Sequence, residues 1–250
     1  MVSAIHGRRL KDKKVRERLK RELAAGSLPG WSNLVAASGG WDGVVLANAQ
    51  SAAYDKYRYQ SIAAIGRQLG RDPADVAWDI VLSANPKRSS SRDYRAMALF
   101  FMMDEKDIET ALRFPWMGIG SDSGAALKPG EMDEIGLPHP RAYGNFPRLI
   151  AEYVRKRHVI SLEEAVRKLT SWPATRMRLF DRGTLREGQW ADVTVFNYDR
   201  IQDTATYENP MAAPTDIDYV LVNGQVVVDQ GKHTGATPGQ VLRGAGYGAD

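Results

Sequence analysis

The sequence predicts an α/β fold, and three features carry that prediction. Two apolar runs, Met97–Met103 and Trp116–Gly120, flank a segment of helical character. That order suggests strand–helix units on a parallel sheet. A continuous apolar run bounded by polar residues also suits a strand buried on both faces. From about Gly183 the pattern changes to short alternating segments and a hairpin signal. At 43% hydrophobic and 26% charged residues, the 250-residue chain has the composition of a globular protein with a sizeable core.

The elements follow in order. Nine basic residues lie between Arg8 and Arg21, against Asp12 and Glu17. Val15, Leu19 and Leu23 recur every four residues, so this reads as an amphipathic helix with a solvated charged face. No aromatic residues interleave, as a single-strand binder would need, and nucleic acid is not an expected partner. Gly43–Asn48 reads as a strand. A helix follows over about Tyr59 to Leu69, closed by Gly70. Asp72 and Pro73 suit the cap and first turn of another helix, which buries Val76, Ile80 or Val81, and Leu82. After a polar loop from Pro86 to Asp93 comes the Met97–Met103 strand, whose Met102 and Met103 read as core. Asp104 then caps a helix to about Leu112.

Residues 123–144 form a long Gly- and Pro-containing loop, a type that is usually functional or disordered. A helix is expected from about Phe146 to Lys156. Ser161 and Glu164 have capping-box spacing for a helix to Leu169, and Pro173 marks the next start. Ala191–Phe196 alternates like a half-buried strand. Tyr219–Val222, Asn223-Gly224 and Gln225–Val228 make a hairpin with a type I′ signal. Gly235–Asp250 reads as an irregular tail.

Several classes are set aside. No apolar run approaches the ~18 residues of a membrane span. Met1–Leu10 lacks the apolar stretch of a secretory signal. Without cysteine there is no disulfide framework and no thiolate metal site. The default expectation is a cytoplasmic protein without a membrane partner.

Asp122 is the leading candidate site residue. It ends a short apolar strand and lies among Gly118, Gly120, Ser121, Ser123 and Gly124. In a β/α barrel the catalytic groups stand at the C-terminal ends of strands. The competing reading is turn chemistry in Ser-Asp-Ser-Gly. His139 either faces a substrate or orders its own loop. Arg141 and Arg148 are candidates for bidentate binding of a substrate carboxylate, although Arg148 fits surface pairing on a helix face better. His6, His158 and His233 read as structural or solvated, and Asp104-Glu105 as a helix start.

The element count does not close. A (β/α)₈ barrel takes about 250 residues, and here residues 1–182 supply only two or three of its strands. Residues 183–250 hold too few strands for an independent sandwich. The expectation is the C-terminal part of a longer protein, with 1–182 as barrel portion and 183–250 as part of a composite β domain and tail.

The ordered motifs resemble the amidohydrolase superfamily, and within it the N-acyl-D-amino-acid deacylases (D-aminoacylases). The residues that carry this are Gly120-Ser121-Asp122, His139-Pro140-Arg141-x-Tyr143-Gly144-x-Phe146-x-Arg148, Glu152-Tyr153-Val154-Arg155 and Ala165-Val166-x-Lys168-x-Thr170. Pro173-Ala174, Asp181-Arg182-Gly183, Gly188-x-x-Ala191-Asp192-Val193, Val222-Asn223-Gly224 and Pro238-Gly239-x-Val241-Leu242 complete the set. The His-Pro-Arg segment favours this branch over dihydroorotase-like cyclic amide hydrolases, which stay as an alternative.

The resemblance implies a metal-dependent TIM barrel with a small β-sandwich. Met97–Met103 would be its seventh strand and Trp116–Ser121 its eighth. Asp122 would be the strand-eight aspartate, lying at a zinc ion and acting as general acid/base in hydrolysis of an N-acyl-D-amino acid. The family's H-x-H pair and further ligands lie upstream of anything present here, and zinc needs three or four protein ligands. The chain alone is therefore expected to be inactive. It would share a site with an N-terminal complementary polypeptide, or else be a non-catalytic fragment serving as an assembly subunit.

Overall fold

In the computed structural model, residues 9–27, 29–84, 96–123 and 139–243 are described. His6, the Pro86–Asp93 loop and most of the 123–144 loop lie outside them. The chain divides into two compact units, Met1–Asp104 with Leu127–Pro138, and Glu105–Ala126 with His139–Asp250.

In the first unit, α1 (Lys13–Ala24) starts at Asp12, whose carboxylate accepts from the Lys14 N–H at 2.8 Å. Its basic face is not simply solvated. Arg16 reaches Asp75 at 3.1 Å and Asp79 at 2.5 Å, and Lys20 reaches Asp75 at 2.7 Å. Burial pulls the Asp75 and Asp79 carboxyls up, but hydrogen bonds from Lys20, Arg16 and Arg71 outweigh it and hold both below the usual range. The positive run of the sequence is thus partly consumed inside the molecule. After a short helix, α2 (Leu34–Ala37), come β1 (Val44–Asn48), α3 (Ile62–Leu69) and α4 (Pro73–Ser83). Ser61 caps α3, which ends on Gly70 at φ 61°, and Asp72 caps α4. Val44, Leu46, Ile62, Ile65, Val76 and Ile80 form the core, while Val81 is exposed.

The pairing of β2 (Met97–Phe100) corrects the expected parallel sheet. It runs antiparallel to β1, with Val44 opposite Phe100 and Leu46 opposite Ala98. An antiparallel pair can leave one face to solvent. β2 does so, its side chains alternating between half-buried and exposed. The apolar run also leaves the strand early: Phe101, Met102 and Met103 are exposed, so the Met102-Met103 core reading does not hold.

The second unit holds α5 (Glu105–Arg113), α6 (Arg141–Arg148), α7 (Leu162–Leu169) and α8 (Ser171–Arg176). The helix expected from Phe146 begins at Arg141 and changes character after Pro147. Leu149–Lys156 is π-helical and ends with the Arg157 N–H bonded to the Glu152 carbonyl at 2.8 Å. Proline lacks the N–H that a regular α-helix would use there. Leu149, Ile150, Tyr153 and Val154 from this segment pack with Leu112, Val159, Ala165 and Ile201. The capping box at α7 is half made. Ser161 accepts from the Glu164 N–H at 3.2 Å, but the Glu164 carboxylate turns to Arg167 and Lys168.

A four-stranded antiparallel sheet completes this unit, in the order β3 (Val193–Phe196), β4 (Ile217–Val222), β5 (Gln225–Asp229), β6 (Lys232–His233). Asn223 and Gly224 have φ of 50° and 79°, as a type I′ turn requires. The motifs scattered over residues 181–239 meet at this turn. Arg182 is ion-paired with Asp192 and donates to Asn223 Oδ1 at 2.7 Å. Asn223 donates through Nδ2 to the Pro238 carbonyl at 2.6 Å, and its N–H reaches Asp192 at 2.8 Å.

Candidate active site around Asp122

The segment leading to Asp122 is where sequence and structure part most clearly. Residues 117–123 have no regular secondary structure and belong to no sheet, and Trp116 is 65% exposed. The expected eighth barrel strand is therefore not a paired strand here. A strand's carbonyls need partners, and in this segment side chains supply them. Lys168 donates to the carbonyls of Phe114 at 2.5 Å and Met117 at 2.9 Å. Arg167 donates to the Pro115 carbonyl at 2.5 Å, and Asn145 to that of Gly120 at 3.4 Å. Gly118 lies against Trp172, whose Cδ1 would be 3.3 Å from an added Cβ.

Asp122 stands at the end of this segment with φ 47°, a left-handed conformation that aspartate tolerates better than most residues. Its side chain is 87% exposed, and its Oδ2 lies 2.8 Å from Arg141 Nη2. Arg141 opens α6. The structure thus brings together two of the three residues singled out from sequence.

The third, His139, lies just before α6. Its Nδ1 accepts the Arg141 backbone N–H at 3.1 Å, satisfying one of the helix's initial donors. Because Nδ1 accepts, the network assigns the neutral ring's proton to Nε2, which faces the Tyr207 hydroxyl at 3.4 Å. The two rings meet edge to face at 5.2 Å. Burial, and then the Arg141 charge, hold the imidazole below its ordinary pKa. Through these contacts His139 orders the start of α6. Arg148 pairs with Asp203 at 3.3 Å, as a helix-face residue should. Gly144 lets α6 approach that same Asp203, whose Cβ would be 3.1 Å from an added Cβ.

The residue that sequence reading passed over is Lys168. It is fully buried, with Glu164 Oε1 at 3.3 Å beside its two carbonyls. The available signal was its register: Lys168 shares a helix face with Leu162, Ala165 and Leu169, an apolar stripe on which a lysine needs a reason.

The described residues do not by themselves make a metal site. Among the described residues no three of His, Asp and Glu converge as ligands would, and the chain has no cysteine. Asp122 faces an arginine.

Comparison with known proteins agrees with the motif reading. The model of the "Amidohydrolase family" matches residues 129–228. An N-acyl-D-glutamate deacylase of Alcaligenes xylosoxydans xylosoxydans is 38% identical over 148 residues, 59% of this chain and 28% of its own. A D-aminoacylase of the same organism is 37% identical over 180 residues, 69% of this chain and 34% of its own. The chain thus spans about a third of the curated relatives it matches. Among solved structures, an N-acyl-D-glutamate deacylase from Bordetella bronchiseptica, complexed with zinc and a phosphonate mimic of the tetrahedral intermediate, superposes with a TM-score of 0.64. It is 32% identical, over 82% of this chain and 38% of that one. A D-aminoacylase studied for its binuclear metal centre gives 0.60 at 30% identity, over 77% and 36%.

Proposed function

From this similarity to the C-terminal portion of the N-acyl-D-amino-acid deacylases, we propose that the chain supplies part of a metal-dependent amidohydrolase site. The reaction is hydrolysis of the amide of N-acyl-D-amino acids. The observation that carries the reading is the Asp122–Arg141 pair at 2.8 Å, an exposed carboxylate beside the first-turn arginine of α6. On this reading Asp122 is the general acid/base. It takes a proton from the attacking water as the new C–O bond forms at the acyl carbon. It returns that proton to the amine nitrogen as the C–N bond breaks. Arg141 presents five N–H donors. One faces Asp122, and others of the fork remain for the carboxylate of an N-acyl amino acid, within reach of the proton-transfer group. His139, kept neutral, holds the Arg141 backbone and borders the same space. Zinc is the metal implied by the relatives, and the described residues do not hold it alone.

A second reading, a non-catalytic fragment acting as an assembly subunit, is favoured by the lack of a converging ligand set among the described residues and by the segment before Asp122 that joins no sheet. Equilibrium dialysis against zinc separates the two. The chain alone should take up no stoichiometric zinc. Mixed with an N-terminal deacylase polypeptide carrying the H-x-H pair, it should raise zinc uptake above that of the polypeptide alone. If the mixture binds no more zinc than its parts, the shared-site reading fails and the assembly reading stands.

A further inference from the structure

We infer that Lys168 is the positioning residue for Asp122. The inference rests on the reading of Asp122 as the proton-transfer group, but its test uses neither activity nor metal. Three observations converge on it. The Lys168 ammonium is fully buried, where a charge is tolerated only when well partnered. Its partners are the carbonyls of Phe114 and Met117, at 2.5 and 2.9 Å, with Glu164 as counter-charge at 3.3 Å. The two carbonyls bracket the turn from which the segment to Asp122 departs, and no sheet ladder fixes that segment. One ammonium therefore supplies what neighbouring strands would supply in a closed sheet.

The other grips are weaker or peripheral. Arg167, half-buried and shared with Glu164, holds the Pro115 carbonyl alone in this segment, and Asn145 reaches Gly120 at the outer limit of hydrogen bonding. Trp172 packs against Gly118 without a polar contact to its backbone. Methionine in place of Lys168 would keep the length of the side chain and lose both bonds. Arginine would keep donors and charge.

The test is backbone ¹⁵N relaxation with carbonyl ¹³C shifts. In the wild-type chain, Met117–Ser121 should be as rigid as the β4–β5 hairpin, with order parameters near ~0.85, although it is in no sheet. In Lys168→Met these values should fall below ~0.6. The Phe114 and Met117 carbonyl resonances should move upfield, and the hairpin should stay unchanged. Lys168→Arg should restore most of the rigidity. The inference is overturned if Lys168→Met leaves Met117–Ser121 rigid, if it loosens the hairpin equally, or if Lys168→Arg is as mobile as Lys168→Met. If Lys168→Met does not fold, the wild-type chain decides. A mobile Met117–Ser121 segment, or Lys168 acylated by an amine-reactive ester as fast as the exposed Lys13, overturns the proposal. A rigid segment with Lys168 as the slowest lysine to react supports it.

Discussion

Two strand-like stretches of the second unit are held by opposite means. The hairpin of β4 and β5 is a ladder of backbone bonds closed by a two-residue turn. The stretch from Met117 to Asp122 has no such ladder, and side chains of α6 and α7 hold the carbonyls of Met117 and Gly120. The first arrangement is local and self-sufficient. The second depends on residues 25 and 51 positions away, and it delivers a carboxylate to solvent. The comparison separates what stabilises this unit from what it displays.

Substitutions should break the two stretches unequally. The largest effect is expected at Arg182, whose side chain is 9% exposed and joins Asp192 to the hairpin turn. Arg182→Ala removes the charged donor shared by Asp192 and Asn223 and should lower the unfolding free energy by about 2–3 kcal/mol, read as a lower urea midpoint. Glycine-to-alanine changes sharpen the contrast. Gly224 has φ 79°, so Gly224→Ala should cost about 1–2 kcal/mol. Gly120 faces open space and has no positive φ. Gly120→Ala should therefore stay within ~0.5 kcal/mol of wild type.

A pH effect comes next. His139 has a lowered pKa in the folded chain, so the unfolded chain binds its proton first. Its contribution is complete above its ordinary range and is lost as pH falls through about 6.5 towards the folded value. Urea midpoints should drop from pH 7.5 to 5 more in wild type than in His139→Gln. Equal slopes would remove His139 from the account. A small effect is also expected at the site itself. Arg141→Ala breaks an exposed ion pair and should change stability by less than ~1 kcal/mol.

The same contrast explains what the sequence disclosed. Asn223-Gly224 announces its turn because the turn's φ values are a property of those two residues. Asp72-Pro73 announces a helix start and Gly70 a helix end for similar reasons, and α4 starts and α3 ends where expected. The second tight turn, Gln230-Gly231 at φ 46° and 74°, was missed because glutamine is not a usual left-handed residue. Pairing was not legible either. Met97–Phe100 is apolar enough for a parallel core strand, but its partner is the antiparallel β1, a choice made by long-range geometry. At the site, Asp122 and Arg141 were visible as residue types, and their 2.8 Å approach was not. Lys168 was hidden because a lysine reads as surface until the register of its helix is checked against both faces.

As proposed, Asp122 is a proton-transfer group lent to a site completed by other residues. The direct measurement is hydrolysis of an N-acetyl-D-amino acid by the chain combined with an N-terminal deacylase polypeptide and zinc, for wild type and Asp122→Asn. The account predicts D-selective hydrolysis by the wild-type mixture and a loss of at least ~10²-fold with Asp122→Asn, while Arg182→Lys retains activity. Full activity with Asp122→Asn would contradict it.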